Sequence, residues 1–233
     1  MKQTILFISC EHATNAVPDE FRHIFHSQEP LLKTHRGMDF GALEIATHLS
    51  QTFHCDSTIA SVTRLLIDCN RSLTHPNCFS ELTRELGAKD KQTVIDRYYR
   101  PYRNQAETLI KNHIEQGQQV LHISCHSFTP IFNGITRNAS IGLLYDPRRH
   151  GEKEVARQWH GLLDLQTDLR VRMNYPYRGT SDGFTSSLRR QYGEKDYLGI
   201  ELEVNQTLVK DKTTLNTLTQ ALSISLGELL QLL

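Results

Sequence analysis

Two apolar, β-branched runs lie far apart in the chain, and each ends in a short polar string that contains a histidine. Residues 4–8 lead into Ser-Cys-Glu-His at 9–12, and residues 120–123 lead into Ser-Cys-His-Ser at 124–127. Runs of this kind are typical of buried strands in a parallel sheet. Because α/β sheets build their sites in the loops beyond the carboxyl ends of such strands, this pattern indicates an α/β fold with a site at these histidines.

Strand-like and helix-like segments alternate along the chain, which implies a mostly parallel sheet that is covered on both faces. We predict a single-domain α/β fold over residues 1–233, a three-layer sandwich with a mostly parallel mixed sheet. Two long irregular segments, 73–90 and 174–196, are expected to be functional loops. Asp39 is expected to cap the first long helix. The predicted strands are 4–10, 57–62, 64–69, 120–125, 141–145 and 197–204, and the predicted helices are 40–53, 91–116 with a break at Pro101, 151–163 and 214–232.

The charge balance excludes some classes of partner. Lys and Arg total 26, as do Asp and Glu, so no net field recruits nucleic acid or an anionic membrane. No apolar run approaches the roughly 20 residues that cross a bilayer, and the N-terminus lacks the features of a signal peptide. We expect a cytoplasmic protein that acts on a small molecule, with an oligomeric state that the sequence does not specify.

The five cysteines include no Cys-x-x-Cys pair, which argues against a disulfide framework and against a structural zinc knuckle. Three of them, Cys10, Cys69 and Cys125, end predicted strands and are expected to be small buried residues. A cysteine hydrolase that uses Cys10 or Cys125 is the competing interpretation. Cys125 and His126 are adjacent, however, and adjacent residues of a strand point to opposite faces.

His12 and His126 are candidate ligands of a divalent metal. Catalytic zinc commonly takes three protein ligands and leaves one position open, so a carboxylate is needed, and Asp39 and Glu11 are both candidates. The alternative is that the two histidines only make structural hydrogen bonds. Two histidines at strand ends, each flanked by small polar residues, favour the metal site.

Two further groups of residues fit a hydrolase. Asn70 and Arg71 follow an apolar run that ends in Asp68, and an arginine fork with an amide can bind a substrate carboxylate; a local ion pair between Asp68 and Arg71 is the structural alternative. Glu201 and Glu203 lie on one face of a strand by its period of two. A carboxylate there can act as general base and proton donor, whereas a solvent-facing acidic edge is the alternative.

Six motifs together resemble the N-formylglutamate amidohydrolase family over nearly the whole chain. They are Glu11-His12-Ala13-Thr14-Asn15 with Pro18; His35-Arg36-Gly37-x-Asp39-x-Gly41-Ala42; Arg64-Leu65-x-Ile67-Asp68-x-Asn70-Arg71; His126-Ser127; Tyr177-Arg178-Gly179-x-Ser181-Asp182-Gly183; and Glu201-x-Glu203-Val204-Asn205-Gln206. That family is in turn similar to zinc carboxypeptidases and aspartoacylase-type deacylases in its sheet and its metal chemistry.

The resemblance implies one Zn²⁺ per chain. His126-Ser127-Phe128 is similar to the strand-end string that carries the last zinc ligand of carboxypeptidases. Those enzymes place another ligand in His-x-x-Glu, and Asn15 occupies that glutamate position here. We therefore expect His12, His126 and Asp39 as ligands, with Glu11 and Asn15 as weaker candidates.

The resemblance also assigns the remaining roles. Glu203 occupies the position expected of the catalytic glutamate, and Glu201 is the alternative candidate for that role. Asn70 and Arg71 are expected to hold a substrate carboxylate, and Arg178 to bind a second carboxylate or polarise the carbonyl. The expected activity is zinc-dependent hydrolysis of the linear amide of an N-formyl or N-acyl amino acid. A carboxypeptidase-like peptidase and a non-catalytic metal- or small-molecule-binding module are the alternatives.

Overall fold

A six-stranded sheet forms the centre of the computed structural model, which describes residues 2–233. Its strands run in the order β2-β1-β3-β8-β6-β7, and β4 and β5 form a separate two-stranded hairpin. The strands are β1 Thr4–Cys10, β2 Asp56–Ile59, β3 Gln119–Phe128, β4 Ile131–Phe132, β5 Ile135–Thr136, β6 Ile141–Leu144, β7 Val171–Met173 and β8 Tyr197–Asn205. The helices are α1 Arg22–Phe25, α2 Glu29–Leu32, α3 Ala42–Phe53, α4 Ala88–Val94, α5 Arg100–Glu115, α6 His150–Gln166, α7 Phe184–Gln191 and α8 Lys212–Leu232.

The pairing confirms the predicted fold class. Strands β2, β1, β3 and β8 are mutually parallel, β6 runs antiparallel to β8, and β7 is parallel to β6. The sheet is therefore mixed and mostly parallel, in a single-domain α/β fold. Helices α3, α6 and α8 cover one face, whereas α5 and α7 cover the other.

The two faces of the central strands differ in chemistry. Along β3, Leu121, Ile123 and Cys125 pack into the core under α3, α6 and α8. The alternate residues His122, Ser124 and His126 point to the opposite face and are also buried. The same alternation holds on β8, where Glu201 and Glu203 pair in register with Ser124 and His126. A strand period of two thus places the polar residues of neighbouring strands side by side on one face.

Two local predictions are wrong. Residues 64–69 form turns rather than a strand, because the Thr63 carbonyl accepts hydrogen bonds from the amides of Leu66 and Ile67. The apolar run at 65–67 is buried in the core on the face of the sheet that α5 and α7 cover, and it is not part of the sheet. Asp39 does not cap α3 either: Gly41, with a φ of 77°, occupies the N-cap position, and the Asp39 side chain turns towards His12.

The long helical segment is continuous and does not break at Pro101. A π-helical turn at Ile95–Tyr99 joins α4 to α5, and Pro101 directly follows this turn as the second residue of α5. The segment 174–196, predicted to be irregular, contains α7. The segment 73–90 is irregular until α4 begins at Ala88.

Candidate active site

A cavity of about 190 Å³ opens beyond the carboxyl ends of β1, β3 and β8. Side chains from six separate parts of the chain line it, as expected for the open edge of a parallel sheet. Of the residues singled out from the sequence, the cavity wall contains His12, Asp39, Asn70, Arg71, His126, Ser127, Arg178, Glu201 and Glu203.

The two strand-end histidines meet at Asp39. His12 Nδ1 lies 3.1 Å from Asp39 Oδ2, and His126 Nδ1 lies 2.9 Å from the same oxygen. All three side chains are buried. The loop geometry fixes this arrangement, because the Asp39 amide donates a hydrogen bond to the His12 carbonyl, 2.9 Å away.

Each histidine also contacts a second buried carboxylate through its other ring nitrogen. His12 Nε2 lies 2.7 Å from Asp68 Oδ1, and His126 Nε2 lies 3.0 Å from Glu11 Oε2. A histidine that donates its Nε2 proton to a carboxylate keeps the Nδ1 lone pair free for a metal. Asp68 and Glu11 therefore orient the imidazoles, and Asp39 faces both Nδ1 atoms.

Hydrogen bonds fix these two orienting carboxylates in turn. Glu11 accepts from the Tyr102 hydroxyl at 2.5 Å and from the Ser124 hydroxyl at 2.6 Å. Arg64 holds Asp68 by donating to its Oδ2 at 3.1 Å, and it also donates to Asp39 Oδ1 at 3.3 Å, so that it bridges these two carboxylates. The sequence reasoning missed the roles of Arg64, Tyr102 and Ser124. Only Arg64 had a signal, namely its spacing of four residues from Asp68.

The electrostatics of this cluster keep its carboxylates ionised. Burial alone would raise the pKa of Glu11, but the hydrogen bond and charge of His126 outweigh it and hold the pKa well below its ordinary range. Burial is likewise overcome at Asp39 and Asp68, whose pKa values are lowered chiefly by His12. Burial would lower the pKa of His126, yet its bonds to Asp39 and Glu11 raise it well above the ordinary value.

The cluster fits a divalent metal. His12, Asp39 and His126 each offer one ligand atom, and these atoms lie within 4.8 Å of one another. Two imidazoles and a carboxylate are a donor set that suits zinc. Asn15 is not brought to this group: its amide donates to the Leu32 carbonyl, and its side chain lines a different surface cavity.

Glu203 differs from every other carboxylate of the cavity. Its Oε2 atom is buried and has no hydrogen-bond partner within residues 2–233. Burial, with added repulsion from Asp39 and Glu201 and opposed by His126, raises the pKa of Glu203 to about 8. Glu201, two residues earlier on the same face, instead accepts a 2.5 Å hydrogen bond from the Thr185 hydroxyl. The two glutamates thus have different environments.

The candidate substrate-binding residues lie on the loops around the cavity. Asn70 accepts from the Phe184 amide at 2.7 Å, and its own amide nitrogen lies 3.3 Å from His126 Nε2. Arg71 donates to the Asp182 carbonyl, which fixes the guanidinium at the cavity wall. Arg178 is exposed at the rim. Ser127 accepts from the Gln206 amide at 3.2 Å.

The cysteines do not form a second candidate centre. Cys10 and Cys125 are fully buried in the core under α3, α6 and α8. Burial raises the pKa of both thiols, so neither forms the thiolate that a cysteine nucleophile requires. His126 faces the cavity and Cys125 faces the core, as the strand alternation predicts.

Comparison with known proteins shows chains of similar fold and a matching family. A structure of a gene product from Agrobacterium tumefaciens is 26% identical, has a TM-score of 0.83 and aligns over 99% of this chain and 91% of that chain. An N-formylglutamate amidohydrolase from Ralstonia eutropha JMP134 is 17% identical, with a TM-score of 0.71 and coverage of 97% and 93%. No curated protein sequence matches the chain. The family model for N-formylglutamate amidohydrolase matches residues 4–209, and the chain therefore belongs to the N-formylglutamate amidohydrolase family.

Proposed function

We propose that this protein is a zinc-dependent amidohydrolase that cleaves the linear amide of an N-formyl or N-acyl amino acid. One observation carries the proposal: the His12–Asp39–His126 cluster shares a cavity with Glu203, whose buried Oε2 has no hydrogen-bond partner among residues 2–233. Family membership supports amide hydrolysis as the class of reaction.

The metal would be held by His12 Nδ1, His126 Nδ1 and one Asp39 oxygen, with one ion per chain. A zinc ion held there supplies Lewis-acid chemistry, which makes water a stronger nucleophile near neutral pH and polarises an amide carbonyl. Asp68 and Glu11 keep the two imidazoles in the tautomer and orientation that binding requires. Arg64 balances the negative charge of Asp39 and Asp68.

Glu203 is the general base and then the general acid. Its carboxylate takes a proton from the attacking water as the new C–O bond forms, and it delivers that proton to the amide nitrogen as the C–N bond breaks. The products are a carboxylic acid and a free amine. A pKa raised to about 8 keeps both protonation states of this carboxyl accessible near neutral pH, as proton transfer in both directions requires.

The substrate carboxylate would be held by Arg71 and Asn70. The guanidinium of Arg71 gives a planar fork for a carboxylate, and its bond to Asp182 limits its movement. Arg178 is placed to bind a second carboxylate or to polarise the carbonyl. The partner is thus a small carboxylate-bearing molecule, and we expect neither nucleic-acid nor membrane binding.

Asn15 bears on the alternative of a non-catalytic module. The departure from the His-x-x-Glu pattern at Asn15 would matter if the ligand set lacked a carboxylate. Asp39 supplies a carboxylate oxygen next to both histidines, which favours an active metal centre.

None of the helices in residues 2–233 combines the length and apolar composition that a membrane crossing needs; a cytoplasmic location remains a prediction.

Metal analysis combined with a formate-release assay tests the proposal. We expect about one zinc per chain, release of formate from N-formyl-L-glutamate or of the acid from an N-acyl analogue, loss of activity on chelation and recovery when zinc is returned. Activity that survives complete removal of metal would contradict the metal mechanism. Stoichiometric zinc without turnover of any N-acyl amino acid would contradict the assigned reaction.

A further inference from the structure

The hairpin of β4 and β5 places an apolar surface beside the candidate active site. Its turn is Asn133-Gly134, and both residues have positive φ values, 50° and 75°, as a two-residue hairpin turn requires. Phe132 pairs with Ile135, and Ile131 pairs with Thr136. Because directly opposed residues of two antiparallel strands share a face, Phe132 and Ile135 form one face, and Ile131 lies on the other.

We call this face, formed by Phe132 and Ile135, the cavity face, because Phe132 lines the candidate active-site cavity. Phe132 lines the cavity together with Phe128 and Tyr177. Phe132 and Tyr177 also line a neighbouring cavity of about 480 Å³, so they stand where the two spaces adjoin. A formyl group is too small to cover this aromatic surface.

The apolar side chains are exposed although they are large. Phe132 is 47% exposed, Ile135 is 71% exposed and Tyr177 is 44% exposed. Exposed apolar side chains that cluster at the rim of a cavity are typical of ligand-binding surfaces. Isolated exposed residues need no such explanation, but Phe132 and Tyr177 line the same cavity, and Ile135 lies opposite Phe132 on the hairpin.

Arg137 holds this surface in a fixed orientation. Its guanidinium lies 4.6 Å from the ring centre of Phe132 and 5.0 Å from that of Tyr177. It also donates to the Tyr177 hydroxyl at 3.2 Å and to the Thr129 carbonyl at 3.4 Å. The hairpin is therefore tied both to the end of β3 and to the loop that carries Arg178.

We propose that the cavity face and Tyr177 form a subsite for an apolar group of the substrate, so that the preferred substrates are carboxylate-bearing amides with an apolar substituent and not N-formylglutamate. This inference rests on the proposed function and names its substrate class. The apolar group has two possible sources, an acyl chain longer than formyl or an apolar side chain of the amino acid. Either would be covered by Phe132 and Tyr177 while Arg71 holds the carboxylate.

A substrate panel tests this subsite and separates the two sources. The zinc-loaded enzyme is assayed with N-formyl-L-glutamate, N-hexanoyl-L-glutamate and N-formyl-L-phenylalanine. We expect kcat/KM to be higher for at least one apolar substrate than for N-formyl-L-glutamate. The Phe132→Ala variant should lower that value roughly tenfold and change the value for N-formyl-L-glutamate less than about twofold, since the substitution removes an aromatic surface that only the apolar group touches.

Ile131→Ala is the matched control, because Ile131 is on the same hairpin, is also exposed and lies on the opposite face. It should leave all three values unchanged. N-formyl-L-glutamate as the preferred substrate, or an equal loss for all substrates in Phe132→Ala, would overturn the subsite while leaving the hydrolase function intact.

Binding measurements keep the two proposals separate. Calorimetric titration of the zinc-loaded Glu203→Gln variant measures the affinity for the same compounds without turnover. If the wild type hydrolyses none of them but an apolar ligand still binds in a way that depends on Phe132, the subsite is supported and the proposed reaction fails. If apolar ligands bind no better than N-formyl-L-glutamate, the subsite is overturned.

Discussion

The pKa values of buried carboxyl groups are shifted in opposite directions on the two sides of the cavity. On the side built by β1, β3 and the loops that follow β1 and β2, Glu11, Asp39 and Asp68 all contact a histidine and have lowered pKa values. On the β8 side, Glu203 has an oxygen without a partner in residues 2–233 and a pKa raised to about 8.

This difference shows how one cavity can contain carboxylates that stay ionised and a separate carboxyl group that transfers protons. Carboxylates whose charge is compensated stay ionised, orient the imidazoles and balance a cation. A carboxyl that is desolvated and left without a partner changes its protonation state near neutral pH. Environments that push the pKa values of neighbouring groups apart are the usual basis for assigning acid and base roles.

The largest expected effect comes from the β8 side. Glu203→Gln should lower kcat by roughly 10³-fold or more, since an amide cannot accept the proton from water. Zinc content and thermal stability should be retained. Steady-state kinetics with matched metal analysis measures both quantities.

Glu201→Gln is the control for that variant, because Glu201 lies on the same strand face but already accepts a hydrogen bond from Thr185. Its loss of kcat should be far smaller. A larger loss in Glu201→Gln than in Glu203→Gln would transfer the proton-transfer role to Glu201.

The histidine side predicts an effect on metal affinity. Glu11→Gln leaves the zinc ligands in place but removes the carboxylate that orients His126. We expect zinc affinity to fall by about 10- to 100-fold, measured by competition with a chelator of known affinity. Glu201→Gln, which touches neither histidine, should bind zinc as the wild type does; an unchanged affinity in Glu11→Gln would contradict the orienting role.

His122 extends the contrast along β3. It is fully buried, bonded to Ser9 and Tyr197, and burial lowers its pKa to about 4. Between pH 7 and pH 5 the unfolded chain binds a proton at His122 and the folded chain does not, so this residue makes the folded state less stable as the pH falls. The loss from His122 alone should be about 2 kcal/mol.

Denaturant unfolding of the metal-free wild type and of His122→Gln at both pH values measures this effect. His126 and Glu203 have raised pKa values and therefore contribute with the opposite sign. The difference between the two proteins isolates the part due to His122. Equal pH slopes in both proteins would show that the pKa of His122 is the same in the folded and unfolded states, which would contradict the lowered pKa.

The sequence predicts those parts of the site that local patterns encode. Strand ends with histidines gave His12 and His126, and the strand period gave the shared face of Glu201 and Glu203. Long-range pairings are not encoded locally: Glu11 reaches His126 only because β1 and β3 are neighbours. Asp39 resembled a helix cap because it precedes α3, yet two distant histidines compete for its side chain and Gly41 takes the N-cap position.

The apolar run at 65–67 misled the prediction, whereas the turn pair at 133–134 was a signal that the prediction did not use. The run at 65–67 has the composition of a strand, but its residues are buried from a turn. The pair Asn133-Gly134 is a strong local signal for a hairpin, and the hairpin it forms brings Phe132 to the cavity. Helix α7 was hidden because its short sequence is rich in Ser and Arg.

The smallest expected effect compares both sides of the cavity in one experiment. In the metal-free chain His126 and Glu203 have raised pKa values, so both carry a proton near pH 7. Zinc binding requires a neutral His126 and lowers the pKa of any carboxyl nearby, so it releases protons. Calorimetry in two buffers of different ionisation enthalpy counts them.

Each side should then account for its own part of the proton release. Glu203→Gln should release about one proton fewer per zinc than the wild type, because it removes the group that titrates on the β8 side. Glu11→Gln should also release fewer, because His126 loses one of the two carboxylates that raise its pKa. The double variant should show the sum of both reductions. Identical proton release in all four proteins would contradict the division between compensated and unpartnered carboxyl groups on which the acid–base assignment depends.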